Sequence, residues 1–448
     1  MKTLIVGGGV AGMTLALQLS SQGHEVTVLE KDAQPGGKVR SQQLGDWRIE
    51  DGPAGVLDNA PDTTALVAQL GLADKVVVSD DAARRRFIER AGALREVPDS
   101  PPRLVFSPTL TLGEKWRLLR EPKAPPPPAG RDETMAEFAE RRFGSSLAET
   151  FVEPIASGVY AGDYTRLSVR SAFPRIAELE REHGSLLKGL MALEKQRKAE
   201  GRPRVPARLT TFQGGMGALS TALHRALGER VKVGADVRAI ERLGDGLRVQ
   251  TSGGPLDAER LVLALPPDDA ASLLQPLDAA MAEAYAAIPS SGVASVALGY
   301  AKSDIAHPLE GFGFLVPRKE GRQVLGVIWM TSTFPTAGQA PAGHVMLRCM
   351  IGGANHPTVT ERSDDALIAL SAETLRALLG VTAPPRFSHV VRWPHAIPQY
   401  TVGHAGRVAA IEERGARLGV YSTGAALRGV GVNDVVREAK ALAARLGA

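Results

Sequence analysis

The sequence predicts an α/β chain of more than one domain, and three observations carry that expectation. The chain opens on a short apolar strand, "TLIV", that runs into a glycine-rich turn and an apolar helix. Near the other end, "YSTGAALRGVGVNDVVREAK" (421–440) repeats the order strand, glycine turn, helix. Between them, "ERLVLALPP" is apolar without alternation, as in a strand of a parallel sheet covered on both faces.

Composition bounds the rest. At 448 residues the chain exceeds one ordinary core, so two or three domains are expected. A net charge of +4 from nearly balanced totals is too small to argue for nucleic acid. The lone Cys349 excludes a disulfide framework, and the nine histidines show no metal-ligand spacing, so no metal is expected. No run of 18 apolar residues predicts a membrane span, and Met1 leads directly into a strand rather than a cleavable signal. A cytoplasmic protein, or one on the cytoplasmic face of a membrane, is the expectation.

The opening turn is Gly7-Gly8-Gly9-Val10-Ala11-Gly12. Gly7 permits the tight turn, Gly9 a close backbone approach to a pyrophosphate, and Gly12 close helix–strand packing. The helix start then offers free N–H groups and a positive dipole end to phosphate. The second strand, "HEVTVLE", ends at Glu30, where an acid can accept ribose hydroxyls. This reads as a dinucleotide site without separating FAD from NAD. A second glycine pair before a base, Gly36-Gly37-Lys38, and then Gly52-Pro53 resemble the flavin amine oxidase superfamily, which favours FAD.

Further along, "PDTTALVAQLGL" (61–72) predicts a short helix with proline at its start. Residues 85–190 read as a largely helical insertion, interrupted by a stiff "PPPP" at 125–128, with Asp132 as a candidate helix cap. "FQGGMGALSTALHRAL" predicts a helix, and short strands with Gly-Asp-Gly and Gly-Gly-Pro turns follow it. "GFGFLVPRKEGRQVLGVIWMTSTFP" predicts a strand pair.

Along nearly its whole length the chain resembles the oxygen-dependent protoporphyrinogen oxidase family. The carriers are "GPAGVLDNAPDT", "RRFIERAGALREVP", "PIASGVYAGDYTRLSVRSAFP", "FQGGMGALSTAL", "FGFLVPRKEGRQVLG", "RWPHAIPQYTVGH" and "LRGVGVNDVV". The resemblance implies a Rossmann-like FAD-binding domain (1–84, 209–270 and 405–448), an α+β substrate domain (191–208 and 271–404) and a helical membrane-binding insertion (85–190). It implies non-covalent FAD contacts at Gly7 to Gly12, Glu30, Lys31, Gly37, Lys38, Gly52, Pro53, Ala54, Gly55, Val237, Trp393, Val430, Gly431 and Val432. It implies Arg86 as the partner of a substrate propionate, with Gly162, Leu315 and Trp329 lining an apolar slot. The implied reaction is six-electron oxidation of protoporphyrinogen IX by dioxygen through FAD, yielding hydrogen peroxide. No catalytic acid or base is singled out.

The resemblance further implies a peripheral membrane surface, to which Trp116, Leu118 and Leu119 among Lys115, Arg117, Arg120 and Lys123 are suited, and a homodimer. Three other readings stay open: a coproporphyrinogen III oxidase of the same family, an amine oxidase or carotenoid desaturase, and a non-catalytic scaffold on the same fold. At the C-terminus, Val432, Val435, Val436, Ala439, Leu442 and Leu446 form a helical stripe. The helix start near Gly431 would meet the flavin end of the cofactor whose pyrophosphate the first turn holds.

Overall fold

The computed structural model describes residues 2–98, 103, 106–128, 130–201 and 206–447. Residues 99–102, and 202–205 within the expected 191–208 segment, lie outside them. The chain divides into two compact units, one of residues 1–78, 208–290 and 404–448, the other of residues 79–207 and 291–403.

The first unit is built on a five-stranded sheet. Its strand order is Val231–Val233, Glu25–Glu30, Lys2–Val6, Arg260–Leu263, Val420–Ser422, all parallel. Side chains alternate across it. Ile5, Val28 and Val262 enter a core with the helices Val10–Ser21, Gly217–Leu227 and Val432–Gly447. Leu4, Val6, Leu261 and Leu263 enter a second core on the other face, with the helices Pro267–Leu274, Ala279–Ala286 and His404–Leu418 and a three-stranded meander, Val237–Ala258. Both faces are covered, which is why "ERLVLALPP" shows no polar alternation. The C-terminal stripe packs as expected: Val436, Ala439, Leu442 and Leu446 share the first core with Met13, Ala16 and Leu19. The helix expected at 61–72 is regular only over Pro61–Gln69, with Leu66 and Val67 buried.

The second unit carries a seven-stranded sheet ordered Phe387–Pro398, Ser290–Ala301, His344–Gly352, Val324–Trp329, Gly313–Leu315, Arg86–Arg90, Ala93–Val97. The expected strand pair is present as Gly313–Leu315 against Val324–Trp329. Residues 86–97, however, are not helical. They form an antiparallel hairpin whose first strand joins the sheet in parallel beside Gly313–Leu315. Ala91 and Gly92, both at positive φ, make its tight turn. The region is helical farther on, at Leu112–Leu119, Met135–Phe143, Glu153–Tyr160, Pro174–His183 and Leu186–Ala199. The last of these runs through the expected boundary at 190/191, so no structural break lies there. Asp132 is not the cap of its helix. Thr134 is, in a reciprocal capping box with Glu137. Asp132 instead accepts from Ser168 Oγ and the Gly403 N–H.

Buried charge ties the helices together. Arg142 is shared by Glu121 and Glu180, and Arg141 by Glu133 and Glu180. Among the described residues no helix is long and apolar enough to cross a membrane.

Candidate functional site

The first glycine turn has the shape its sequence predicts, and each glycine is needed for its own reason. Gly7 sits at φ +108°, and a Cβ there would lie 2.5 Å from the Ala264 carbonyl oxygen. A Cβ on Gly12 would lie 2.0 Å from the Gly7 carbonyl oxygen. Gly9 differs: the nearest atom to its ideal Cβ is Gly37 Cα at 4.0 Å, so protein does not fill the space beside it. Gly9 is also the N-cap of the Val10–Ser21 helix and supplies no side-chain cap. The first-turn N–H groups of Val10, Ala11 and Gly12 therefore have no intrahelical partner. An open space beside uncapped amides suits a pyrophosphate, so the cradle fits a dinucleotide.

The second glycine pair belongs to this cradle. Gly36 N–H donates to the Gly8 carbonyl at 2.8 Å, which brings Gly37 against Gly9. Gly52 backs onto Lys38, because a Cβ there would lie 2.0 Å from the Lys38 carbonyl oxygen. Burial pushes the Lys38 ammonium down to about 8, while Asp269 opposes the shift. Lys31 is exposed and pairs with the same Asp269 at 3.5 Å. Pro53, Ala54 and Gly55 continue the loop past Asp51, which is held by Arg40 and Gln42.

Glu30 is 8% exposed, and its carboxylate accepts two backbone N–H groups, from Gly8 at 2.7 Å and Asp32 at 2.9 Å. Its carbonyl accepts from Ala235, two residues before Val237, which begins the meander. Glu30 thus positions the turn besides facing the site.

Sequence reasoning missed a supporting set. Glu50 accepts from Met216 N–H and Ser41 Oγ, Ser41 Oγ accepts from Gly217 N–H, and Ser220 Oγ donates to the Val39 carbonyl. These bonds dock "FQGGMG" on the loop after Lys38. The small residues of that motif were the available signal.

The second glycine cluster lies in the same unit. Its helix begins at Val432, and Val435 N–H donates to the Gly431 carbonyl at 3.0 Å. Val430 and Val432 are half-buried and Gly431 is exposed. Asn433 Nδ2 donates to the Leu57 carbonyl, fixing the helix start to the strand after Gly55. The Asp434 side chain folds beneath Gly429 and Gly431 and pairs with Arg437 at 2.7 Å. A first-turn carboxylate therefore already balances part of the positive end of this helix.

The remaining expected residues lie in the second unit. Arg84 pairs with Asp81, and Arg85 with Glu96 and Glu310. Arg86 has no carboxylate within ion-pair distance among the described residues; its guanidinium lies over the Phe312 ring, 5.6 Å from the centroid. Of three adjacent arginines, only this one keeps its charge available. Leu315 reaches toward Gly158, whose ideal Cβ lies 2.8 Å from Leu315 Cδ2. Gly162 is buried beneath Gln399 and Leu167, which leave no space for a side chain.

Trp329 does not line a slot on the face of Leu315. It is fully buried in the core on the opposite face, its ring centroid 4.9 Å from His307 and 5.4 Å from Phe87. Its neighbour Ile328 takes the Leu315 face: Leu315 pairs with Gly326 and Gly313 with Ile328. A shift of one residue exchanges the faces of a strand. Trp393 is partly buried against Ala161, Val293, Leu325 and Ala396, with Met350 and Ile397 beside them.

The family described as flavin-containing amine oxidoreductase matches residues 10–447. A coproporphyrinogen III oxidase from Bacillus subtilis (strain 168) is 29% identical over 98% of this chain and 96% of its own. Protoporphyrinogen oxidase 1, chloroplastic, from Arabidopsis thaliana is 32% identical over 90% of this chain and 79% of its own. A crystal structure of a provisionally named protoporphyrinogen oxidase from Exiguobacterium sp. 255-15 superposes with a TM-score of 0.86 at 25% identity, covering 100% of this chain and 98% of that one.

Proposed function

This chain belongs to the flavin-containing amine oxidoreductase family, on its porphyrinogen-oxidase branch, and from that premise we propose that it oxidises protoporphyrinogen IX to protoporphyrin IX. It is an oxidoreductase and its cofactor is FAD. The proposed reaction consumes three dioxygen molecules, removes six electrons and six hydrogens, and releases three molecules of hydrogen peroxide. The observation that carries the substrate reading is Arg86: an exposed guanidinium without an acid partner among the described residues, on the strand beside Leu315.

The flavin, when bound, accepts electron pairs from the substrate and passes them to dioxygen. The chain's own residues bind and orient. Gly7 to Gly12 and Gly37 admit the pyrophosphate, Glu30 takes the ribose, and Lys38 places a cation near the phosphates. Val237 would meet the adenine, Val430 to Val432 the flavin end, and Trp393 its ring. Arg86 fixes a propionate, with Leu315 and Ile328 as apolar walls, so that the reacting carbon is presented in one orientation.

Peripheral docking on the cytoplasmic face of an anionic membrane accompanies this reading. On the Leu112–Leu119 helix, Leu112, Trp116 and Leu119 are 84%, 58% and 62% exposed and follow one helical face. Leu118 is turned inward, against Leu110 and Leu147. The Arg120 guanidinium lies 4.3 Å from the centre of the Trp116 ring, pairing a cation with an interfacial aromatic.

A second reading, coproporphyrinogen III as substrate, is favoured by the near-complete mutual coverage with the Bacillus enzyme. Aerobic turnover of both porphyrinogens side by side, followed by porphyrin fluorescence, separates the two. Preference for protoporphyrinogen IX is expected; a preference of about tenfold for coproporphyrinogen III, equal to about 1.4 kcal/mol, reverses the assignment.

A further inference from the structure

A cavity of about 390 Å3 lies beside the loop 334–343, which links the short helix Met330–Thr333 to the strand His344–Gly352. All of its lining residues belong to the second unit. Its volume falls near the lower end of the roughly 300–1,000 Å3 found for small-molecule sites. The loop is stiffened by Pro335 and Pro341. Its end is tied down: Lys302 N–H donates to the Gly343 carbonyl at 2.9 Å, and His344 N–H to the Pro341 carbonyl at 3.1 Å. Leu309 and Val345, on the cavity wall, belong to the core that holds Trp329, on the face of the sheet opposite Leu315. The cavity thus stands apart from the face assigned to porphyrinogen, and its occupant need not be one.

Gln339 lines this cavity and is 3% exposed, yet its Oε1 is buried without a hydrogen-bond partner. Burying an amide unpaired costs stability, so buried amides are ordinarily paired. The cavity is where the missing partner can enter, and a half-turn of the amide presents either its oxygen or its NH2 there. Leu309 adds a second sign. It is a buried non-glycine residue at φ +56°, with its N–H donating to His307 Nδ1 at 3.0 Å. Backbone strain of this kind is held by its surroundings and clusters at ligand sites. Charge is the third. Lys302, exposed, is the only lysine or arginine on the lining, and no aspartate or glutamate lines it. Asp304, two residues on, pairs with Arg386 at 3.5 Å. Among the described residues no carboxylate lies within ion-pair distance of Lys302.

We propose that this cavity binds a small organic acid, one carboxylate on an apolar body. Lys302 meets the negative charge, and the Gln339 NH2 donates to a carboxylate oxygen. Leu309, Phe334 and Val345 take the apolar part. One cation balances one negative charge, whereas a phosphate brings roughly two and would leave the second uncompensated.

The test is calorimetric titration of the FAD-loaded protein with hydrocinnamate, its uncharged amide and inorganic phosphate. The acid should bind at least about tenfold more tightly than the amide, the weight of one hydrogen bond to a charged group. Lys302→Met should lose about that factor for the acid and leave the amide within about twofold. Gln339→Leu should weaken the acid about threefold or more, the loss of one donor. The same variant, unliganded, should melt at the wild-type temperature or above it, because leucine needs no partner. A purely structural glutamine would give the reverse, lower melting and unchanged binding. Arg86→Ala should bind the acid as the wild type does. Equal affinity for acid and amide, tighter binding of phosphate, unchanged binding by Lys302→Met, or loss of binding in Arg86→Ala would each overturn the proposal. Should Gln339→Leu prove insoluble, Lys302→Met and Arg86→Ala decide it.

Discussion

Glu30 accepts the backbone N–H of Gly8 at 2.7 Å, and a Cβ added to Gly8 would lie 2.8 Å from Glu30 Cβ. The acid and the turn are therefore one unit. In Glu30→Gln, the amide NH2 must face one of two backbone donors, those of Gly8 and Asp32. An opposed buried donor costs about 1–3 kcal/mol. The melting temperature of the apoprotein should fall by several degrees, roughly 2–4 °C per kcal/mol. Unchanged melting and unchanged FAD affinity would show that the charge does neither job.

Gly9 and Gly12 should separate binding from folding. Gly12→Ala puts a methyl group 2.0 Å from a backbone oxygen, so the protein should be strongly destabilised or insoluble. Gly9→Ala meets no protein atom closer than 4.0 Å, and its φ of −74° suits alanine. Its apoprotein should melt like the wild type while FAD affinity drops at least about tenfold, the weight of one lost charge-assisted contact. Solubility and thermal melting read Gly12→Ala, and melting with calorimetric titration of FAD reads Gly9→Ala. Tight FAD binding by Gly9→Ala would displace the pyrophosphate from this turn.

Arg86→Ala should raise KM for the porphyrinogen about tenfold, since a hydrogen bond to a charged group contributes about 1.5–3 kcal/mol. The flavin spectrum should be unchanged. Loss of FAD from this variant would place Arg86 at the cofactor instead.

Lys38 gives a pH signature. Its folded-state pKa, about 8, lies below its ordinary value of 10.5. Between those values the unfolded chain binds more protons, so apoprotein stability from this group rises with pH across the window and is absent below about 8. A phosphate nearby reverses the preference. FAD binding near pH 9 should then take up a proton, and affinity should weaken as pH rises above 8. Titration calorimetry in buffers of different ionisation enthalpy measures the uptake, and Lys38→Met should abolish it.

Vesicle co-sedimentation tests the membrane face. Replacing Leu112, Trp116 and Leu119 together with serine should reduce binding to anionic vesicles more than about tenfold, because each fully buried large apolar side chain contributes roughly 1.5–3 kcal/mol. Turnover in detergent should persist. Binding that survives the triple change would move the contact elsewhere.

The cradle was legible because its signals are local. A strand, three glycines, a helix and a terminal acid lie within residues 2–30, and turn geometry follows directly from them. The C-terminal helix was legible for a similar reason, since its stripe has a clean helical period. The hairpin at 86–97 was obscured by its arginines, although Ala91-Gly92 between two alternating runs was a readable turn. "TMAE" likewise spelled the capping box that Asp132 was expected to replace. The exchange of Trp329 for Ile328 was beyond local reading. Pairing of Leu315 with Gly326 puts Ile328 and not Trp329 on its face, and only the paired strand reveals that register.

The cofactor cradle imposes an order on biosynthesis. The first strand and helix leave the ribosome with their apolar faces bare. Among their permanent neighbours, the Arg260–Leu263 strand and the Val432–Gly447 helix lie about 250 and 420 residues farther along the chain. At about 5–20 residues per second, roughly 20–80 s separate the first helix from the last. The nascent N-terminus must spend that interval incomplete, so conditions that slow elongation should deplete soluble protein before they affect any property of the finished enzyme.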